Sequence, residues 1–388
     1  MRGNSLAMSD WWDRRPSNSG DRRPRLLVVA FLAALSTLLL VTGCPPKDNE
    51  GPISVVVSDD KDAPASVDHA QIEKAARIEA QLSWYTSLPE KDATAFLDAF
   101  KAKYPFIDAR LRRSSTFDTI SQVNDEIDSG DVRADVVHVL DVGVFIELRR
   151  RGELLRYASP EGTSIDDRFR EPGYWWAMRL VAMGMAYNSR ALSADRAPRT
   201  WEDLLKPEFR GKIGFKDAAT AGTAYAEYFL LRERYGTLFW ERVAAQKPRI
   251  SRSAEEVTDG LLDGSILVAG EMAAYAMIGA QEDGKPIVGV FPKEGVPFTP
   301  GPVAILARAP HPNAARLFVD YALSREGQTL FRDLGNAYSA RKDVGPLRDQ
   351  PPLRELNLLT PTGGWEEYLQ KQGALRTEFE KLFRPTSE

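Results

Sequence analysis

Cysteine is almost absent from this chain of 388 residues, and Cys44 is its one thiol. With that thiol used elsewhere, no disulfide, thiolate metal site or cysteine nucleophile can be built, and stability must come from packing. Histidine is scarce as well. His69, His138 and His311 are dispersed, and His138 sits inside the apolar run "ADVVHVL", which argues against a metal cluster or a proton relay. The sequence has no G-x-S-x-G, C-x-x-C, P-loop or G-x-G-x-x-G pattern, so it points to no enzyme, no metal site and no cofactor. Nor is there an excess of positive charge. The formal net charge is −4, against generic nucleic-acid binding, which wants a basic face. No apolar run reaches the roughly 20 residues of a membrane span.

The longest such run, "LLVVAFLAALSTLLLV", follows Arg22, Arg23 and Arg25 and ends at Thr42-Gly43-Cys44. A basic start, a short apolar middle and small residues at the end predict a secretory signal over residues 1–43. "LVTGC" resembles a bacterial lipobox, which implies cleavage before Cys44 and lipid attachment to its sulfur. Two or more acyl chains would hold the protein at a membrane surface. Removing the Arg-rich leader makes the remaining chain more acidic. That leaves room for a small anionic ligand, because a pocket of N–H dipoles acts locally.

Beyond the leader, residues 44–81 are rich in Pro, Asp, Lys and Ala and read as a flexible tether, with one helical stretch at "AQIEKAARIEA". From Leu82 onward strands and helices alternate. "LSWYTS", "DARLRRSS" and "ADVVHVL" read as strands between helical patterns, and "RLVAMGMAYN", "KIGFKD" and "SILVAGEM" repeat the arrangement. Such alternation makes parallel sheets with helices on both faces, here an α/β fold of two lobes. The expected bounds are a first lobe over 82–180, a second over 181–292, a return segment at 293–345 and a helical extension at 346–388. "TWEDLLKPEF" reads as one helix, "NAARLFVDYALSREGQTLFRDLG" as another, and "GWEEYLQKQGALRTEFEKLF" as a helix across the back of a lobe.

Ligands of α/β proteins bind at the carboxyl ends of strands. The first such turn holds Thr86 and Ser87. Ser87-Leu88-Pro89-Glu90 is also an S-x-x-E capping box, so a cap alone and a cap with a ligand site are both open. At the second, Asp141 can take a ligand amine or hydroxyl, or cap the following helix. The third, "KDAATAGTAYAEY", places Thr220, Gly222 and Thr223 at a helix start, with Gly222 letting a ligand approach the backbone. At the fourth, Glu271 and Tyr275 follow "SILVA", with core packing as the alternative for Tyr275. Trp175-Trp176 reads as core or as an aromatic wall, with Arg179 nearby as an anion clamp.

"WYTSLPEKDATAFLDAFKAKYPFI", "ADVVHVLD", "MAYNSRAL", "RTWEDLLKPEFRGKIGF", "ATAGTAY" and "APHPNAARLFVDYALSREGQ" together resemble the extracellular solute-binding proteins of ABC importers, in the branch named for ferric-ion binding. The resemblance covers Leu82 to Val344. It implies a type II periplasmic-binding-protein fold, a cleft between hinged lobes, permease and ATPase partners, and a periplasmic location at a bacterial membrane. Ferric-binding members use a His in the first turn, a Glu after the third strand and a late Tyr-Tyr pair. These positions read Pro89, Leu140 or Asp141, and Ala274-Tyr275 here. The turn for a synergistic anion persists, at Thr220 to Thr223. The expected ligand is therefore a small phosphate-, phosphonate- or carboxylate-bearing solute, with a ferric-ion receptor or a sensing subunit for a membrane kinase as alternatives.

Overall fold

In a computed structural model of the protein, residues 68–348 and 350–384 are described, and all of them belong to one compact unit. The leader, Cys44 and most of the tether lie outside the described residues.

The sheet explains the architecture. Its strands in chain order are β1 (Gln81–Thr86), β2 (Asp108–Arg113), β3 (Val136–His138), β4 (Arg170–Glu171), β5 (Trp175–Asn188), β6 (Ile213–Lys216), β7 (Arg249–Ser251), β8 (Val268–Ala273), β9 (Ile287–Val290), β10 (Val296–Ile305) and β11 (Leu358–Leu359). The main path runs β2-β1-β3-β10-β5-β8-β6-β7. β1 pairs in parallel with β2 and β3, and β6 pairs in parallel with β7 and β8. Between these halves runs β5, buried along its whole length. Its residues from Trp176 to Ala182 pair with β10, whereas those from Met183 to Asn188 pair with β8 and β9. One strand therefore serves both halves, and the chain returns between β9 and β10. Each half has its own aromatic and aliphatic core, around Trp84, Phe96 and Phe318 in the first and Trp201, Phe215 and Trp240 in the second.

The helices are α1 (His69–Glu79), α2 (Glu90–Lys103), α3 (Thr116–Ser129), α4 (Val142–Arg150), α5 (Gly222–Ala245), α6 (Ala254–Asp263), α7 (Ala274–Glu282), α8 (Pro312–Leu323), α9 (Arg325–Leu334) and α10 (Gly364–Phe383). No described helix is long and apolar enough to cross a membrane.

Several local expectations change. "AQIEKAARIEA" is not loose tether: α1 buries Ile72 and Ala76, and Glu79 accepts the backbone N–H groups of Asn313 and Ala314 at the start of α8. "TWEDLLKPEF" forms two short 3₁₀ turns, Trp201–Leu205 and Pro207–Phe209, because Pro207 cannot donate to a continuing helix. The long pattern after Asn313 splits at Ser324, whose hydroxyl accepts the Gly327 N–H and starts α9.

α10 does not lie on the back of one lobe. Its first half packs on the first half of the molecule, with Leu369 against Gly143, Gln372 donating to Asp141 and Glu366 paired with Arg150. Its second half packs on the other, where Glu378 accepts from the Tyr228 hydroxyl and pairs with Arg232. Tyr368, fully buried between, sets its ring at an angle against Tyr225 and edge-on to Phe229. The C-terminal helix is a strap across both halves.

Candidate functional site

Between the halves lies a cleft of about 620 Å³. That size suits a small organic molecule. The turns after β1, β6 and β8 open onto it, and it brings together Ser87, Thr220, Gly222, Thr223 and Tyr275. These come from opposite halves of the sheet.

Helix starts shape its chemistry. The first N–H groups of a helix need acceptors from outside the helix. Asp68, Ser115, Asp141, Ser253 and Ser324 supply them for α1, α3, α4, α6 and α9. α2, α5 and α7 begin at Pro89, Ala221 and Ala273 with no side-chain cap, and the first turn of each contributes to the cleft wall. α8 has Glu79 as its acceptor, and α10, which also lacks a side-chain cap, begins outside the cleft at Gly363. The S-x-x-E box at Ser87 therefore does not form. Pro89 takes the N-cap position, and the buried Ser87 Oγ is left without a hydrogen-bond partner.

Gly222 has a different reason from the one its sequence suggests. A Cβ placed there would overlap the backbone carbonyl of Leu140, across the cleft in the other half. The missing side chain lets the two halves meet, and it leaves the amides at the start of α5 beside their junction. Thr223, next in line, accepts a 2.6 Å hydrogen bond from Lys216 Nζ.

Lys216 is the residue that sequence reasoning missed. It ends the buried strand β6, is 6 % exposed, lines the cleft and forms an ion pair with Glu271 at 3.3 Å. Burial works against its charge, but Glu271, Tyr275 and Glu227 outweigh that and place its pKa above the usual lysine value. Behind it the Glu227 carboxyl, buried and facing the charge of Glu271, is pushed well above the usual carboxylate range. The available signal was a lysine closing the run "KIGFK" just before the Thr-Ala-Gly-Thr turn.

Four other expected site residues, Thr86, Asp141, Glu271 and Arg179, lie outside the cleft wall. Thr86 is fully buried, with its hydroxyl against His138 Nδ1 at 2.8 Å and accepting the Leu88 N–H. Asp141 is fully buried as the cap of α4, one oxygen accepting from the Gly143 N–H and the other from Gln372 Nε2. Burial raises its pKa, against the lowering effect of those bonds. Glu271 acts behind Lys216. Trp175 and Trp176 are core residues, and Trp175 Nε1 donates to Glu171.

Arg179 lies beneath the cleft. It is 1 % exposed, its Nε and Nη1 have no hydrogen-bond partner, and its guanidinium carbon is 5.5 Å from the ring centre of Tyr275. Desolvation lowers its pKa. Beside it the imidazole of His138 has an unpartnered Nε2, and burial with the neighbouring arginine charge holds its pKa well below the ordinary value.

The folded chain is similar to iron-bound HitA from Pseudomonas aeruginosa, with 20% identity and a TM-score of 0.69, covering 77% of this chain and 99% of that one. It is similar to AfuA from Actinobacillus pleuropneumoniae with fructose-6-phosphate bound, with 22% identity and a TM-score of 0.70, covering 79% and 99%. In sequence it is 27% identical over 256 residues to an uncharacterized protein of Haemophilus influenzae, spanning 63% of this chain and 71% of that one. The fold is that of the type II periplasmic binding proteins. Residues 143–360, more than half of the chain, match the bacterial extracellular solute-binding proteins, and the chain belongs to that family.

Proposed function

We propose that this protein is the lipid-anchored receptor of an ABC importer and captures a small anionic solute between two lobes. The observation that carries the reading is the convergence of three uncapped helix starts, from α2, α5 and α7, on one cleft. Helix N-termini carry unsatisfied donors and partial positive charge, so an acceptor-rich anion completes them. Ser87 adds a free hydroxyl from the first half, and Lys216 a buried ammonium from the second.

The lobes we assign are 82–180 with the return at 293–345, and 181–292, followed by the extension 346–388. Each offers part of the site, so binding favours their closed arrangement, with bending where β5 passes between pairing partners near Met183 and where the chain returns after Val290. AfuA was solved with a sugar phosphate and HitA with iron. For this chain the anion is favoured. Among the described residues no three His, Cys, Asp or Glu side chains gather into a metal-binding group, and a trivalent cation needs an oxygen-rich anionic shell. Attachment through a lipid on Cys44 would keep the receptor at the periplasmic face beside its permease.

A thermal-shift screen of phosphorylated, phosphonate and carboxylate metabolites against ferric ion tests the proposal. A ligand present at 100 times its Kd adds about 2.7 kcal/mol of stability. Stabilisation by anions is expected; stabilisation by ferric ion alone overturns the reading.

A further inference from the structure

We infer that the solute carries two separated acidic groups: one is received by the start of α5, and the second by Arg179. The inference rests on the anion-receptor reading and specifies its substrate class. Two observations lead to it.

First, the buried cations of the site are not equivalent. Lys216 has its counter-charge, because Glu271 stands 3.3 Å from it, and it also donates to the Thr223 hydroxyl. Arg179 has none within ion-pairing distance. Two of its three nitrogens are buried without any partner, and the Asp92 carboxylate acts on it only at longer range. A buried guanidinium without a carboxylate is costly, and proteins pair such groups or leave them for a ligand to pair. An arginine fork matches a carboxylate or phosphate with two parallel hydrogen bonds.

Second, the fold makes room for this arginine directly behind a residue of the cleft wall. Arg179 sits on β5 opposite Gly301 of β10, where a Cβ would lie 3.3 Å from Arg179 Cγ and 3.0 Å from His138 Nε2. Its guanidinium carbon lies 5.5 Å from the ring centre of Tyr275, which lines the cleft. Tyr275 lines the same cleft as Lys216 and Thr220 to Thr223, so a solute held at the start of α5 meets its phenol ring on the way to Arg179. A solute that satisfies both positions must span that ring, with an acid at each end.

Matched pairs test this, each differing only in the second acid: 3-phosphoglycerate and glycerol 3-phosphate, phosphonoacetate and methylphosphonate, succinate and butyrate. Calorimetric titration of the purified protein should find the two-acid member bound at least tenfold more tightly in one pair or more. Arg179→Gln should remove that advantage and leave the one-acid affinities unchanged, Arg179→Lys should keep part of it, and Thr223→Val should weaken both members alike. Arg179→Gln removes an uncompensated buried charge, so its melting temperature should match or exceed that of the wild type. Equal binding within all three pairs, or equal weakening of both members by Arg179→Gln, overturns the second acid while leaving the anion receptor standing. If no member of any pair binds, the anion reading itself fails and this inference with it.

Discussion

α3 and α6 open onto the cleft with their own serine caps, Ser115 and Ser253, and these first turns are exposed or half-buried. α5 opens onto the same cleft from a buried first turn with alanine at the cap position, whereas α7, also behind an alanine, and α2, behind a proline, start from first turns that are half-buried and largely exposed respectively. Near the rim, water and a short side chain satisfy the amides whether or not a guest is present. At the buried start of α5 the chain offers no side-chain acceptor of its own. The difference teaches that a missing cap is informative where burial denies the amides water, because the unmet donors then define the guest.

Ways to break or sharpen this contrast can be ranked by size. Lys216→Met removes the counter-charge of Glu271 inside the second half, and breaking a buried pair costs about 3–5 kcal/mol. Chemical denaturation should show that loss together with loss of anion binding; a variant as stable as wild type would show that Lys216 does not anchor the start of α5. Gly222→Ala drives a methyl into the Leu140 carbonyl and should cost about 1–3 kcal/mol by overpacking. Because the strain falls where the halves meet, ligand affinity should fall with it, whereas Gly373→Ala, at a helical position with open space around it, should leave affinity unchanged.

Glu227 gives a pH signature. Its carboxyl pKa in the fold is raised above the unfolded value by burial and by Glu271, so the folded chain binds more protons and stability falls as pH rises from the ordinary carboxylate value toward the folded one. Glu227→Gln should therefore gain stability relative to wild type with rising pH, by at most about 1.4 kcal/mol per unit in that window. Parallel denaturation curves at pH 4.5 and pH 8 check the sign, and a variant that loses ground as pH rises would reverse the assignment. The smallest effect separates the two kinds of serine. Ser324→Ala, which removes a working cap from α9, should cost about 1 kcal/mol with no change in anion affinity. Ser87→Ala should leave melting almost unmoved and weaken anion binding.

Much of this was legible in the order of residues. Alternating strand and helix patterns marked two α/β halves, and the Thr-Ala-Gly-Thr turn marked the start of α5, because both signals are local. Other features depend on what lies across the fold. Asp141 reads equally as a ligand or a cap until Gln372, far along the chain, is found on its second oxygen. The capping box at Ser87 was plausible by spacing alone, but Pro89 moved the helix start and freed the hydroxyl. Gly222 looked like room for a ligand and turned out to be room for Leu140. The strap role of α10 needs both halves at once, since its buried residues Leu369, Tyr368 and Phe379 join three different apolar clusters.

Amide hydrogen exchange with and without the most stabilising anion from the screen tests the central claim most directly. The account predicts slowed exchange in the first turns of α2, α5 and α7, with the already capped starts of α1 and α9 unchanged. Slowing confined to outer surfaces, with the amides of Gly222 to Ala224 exchanging as before, would contradict it.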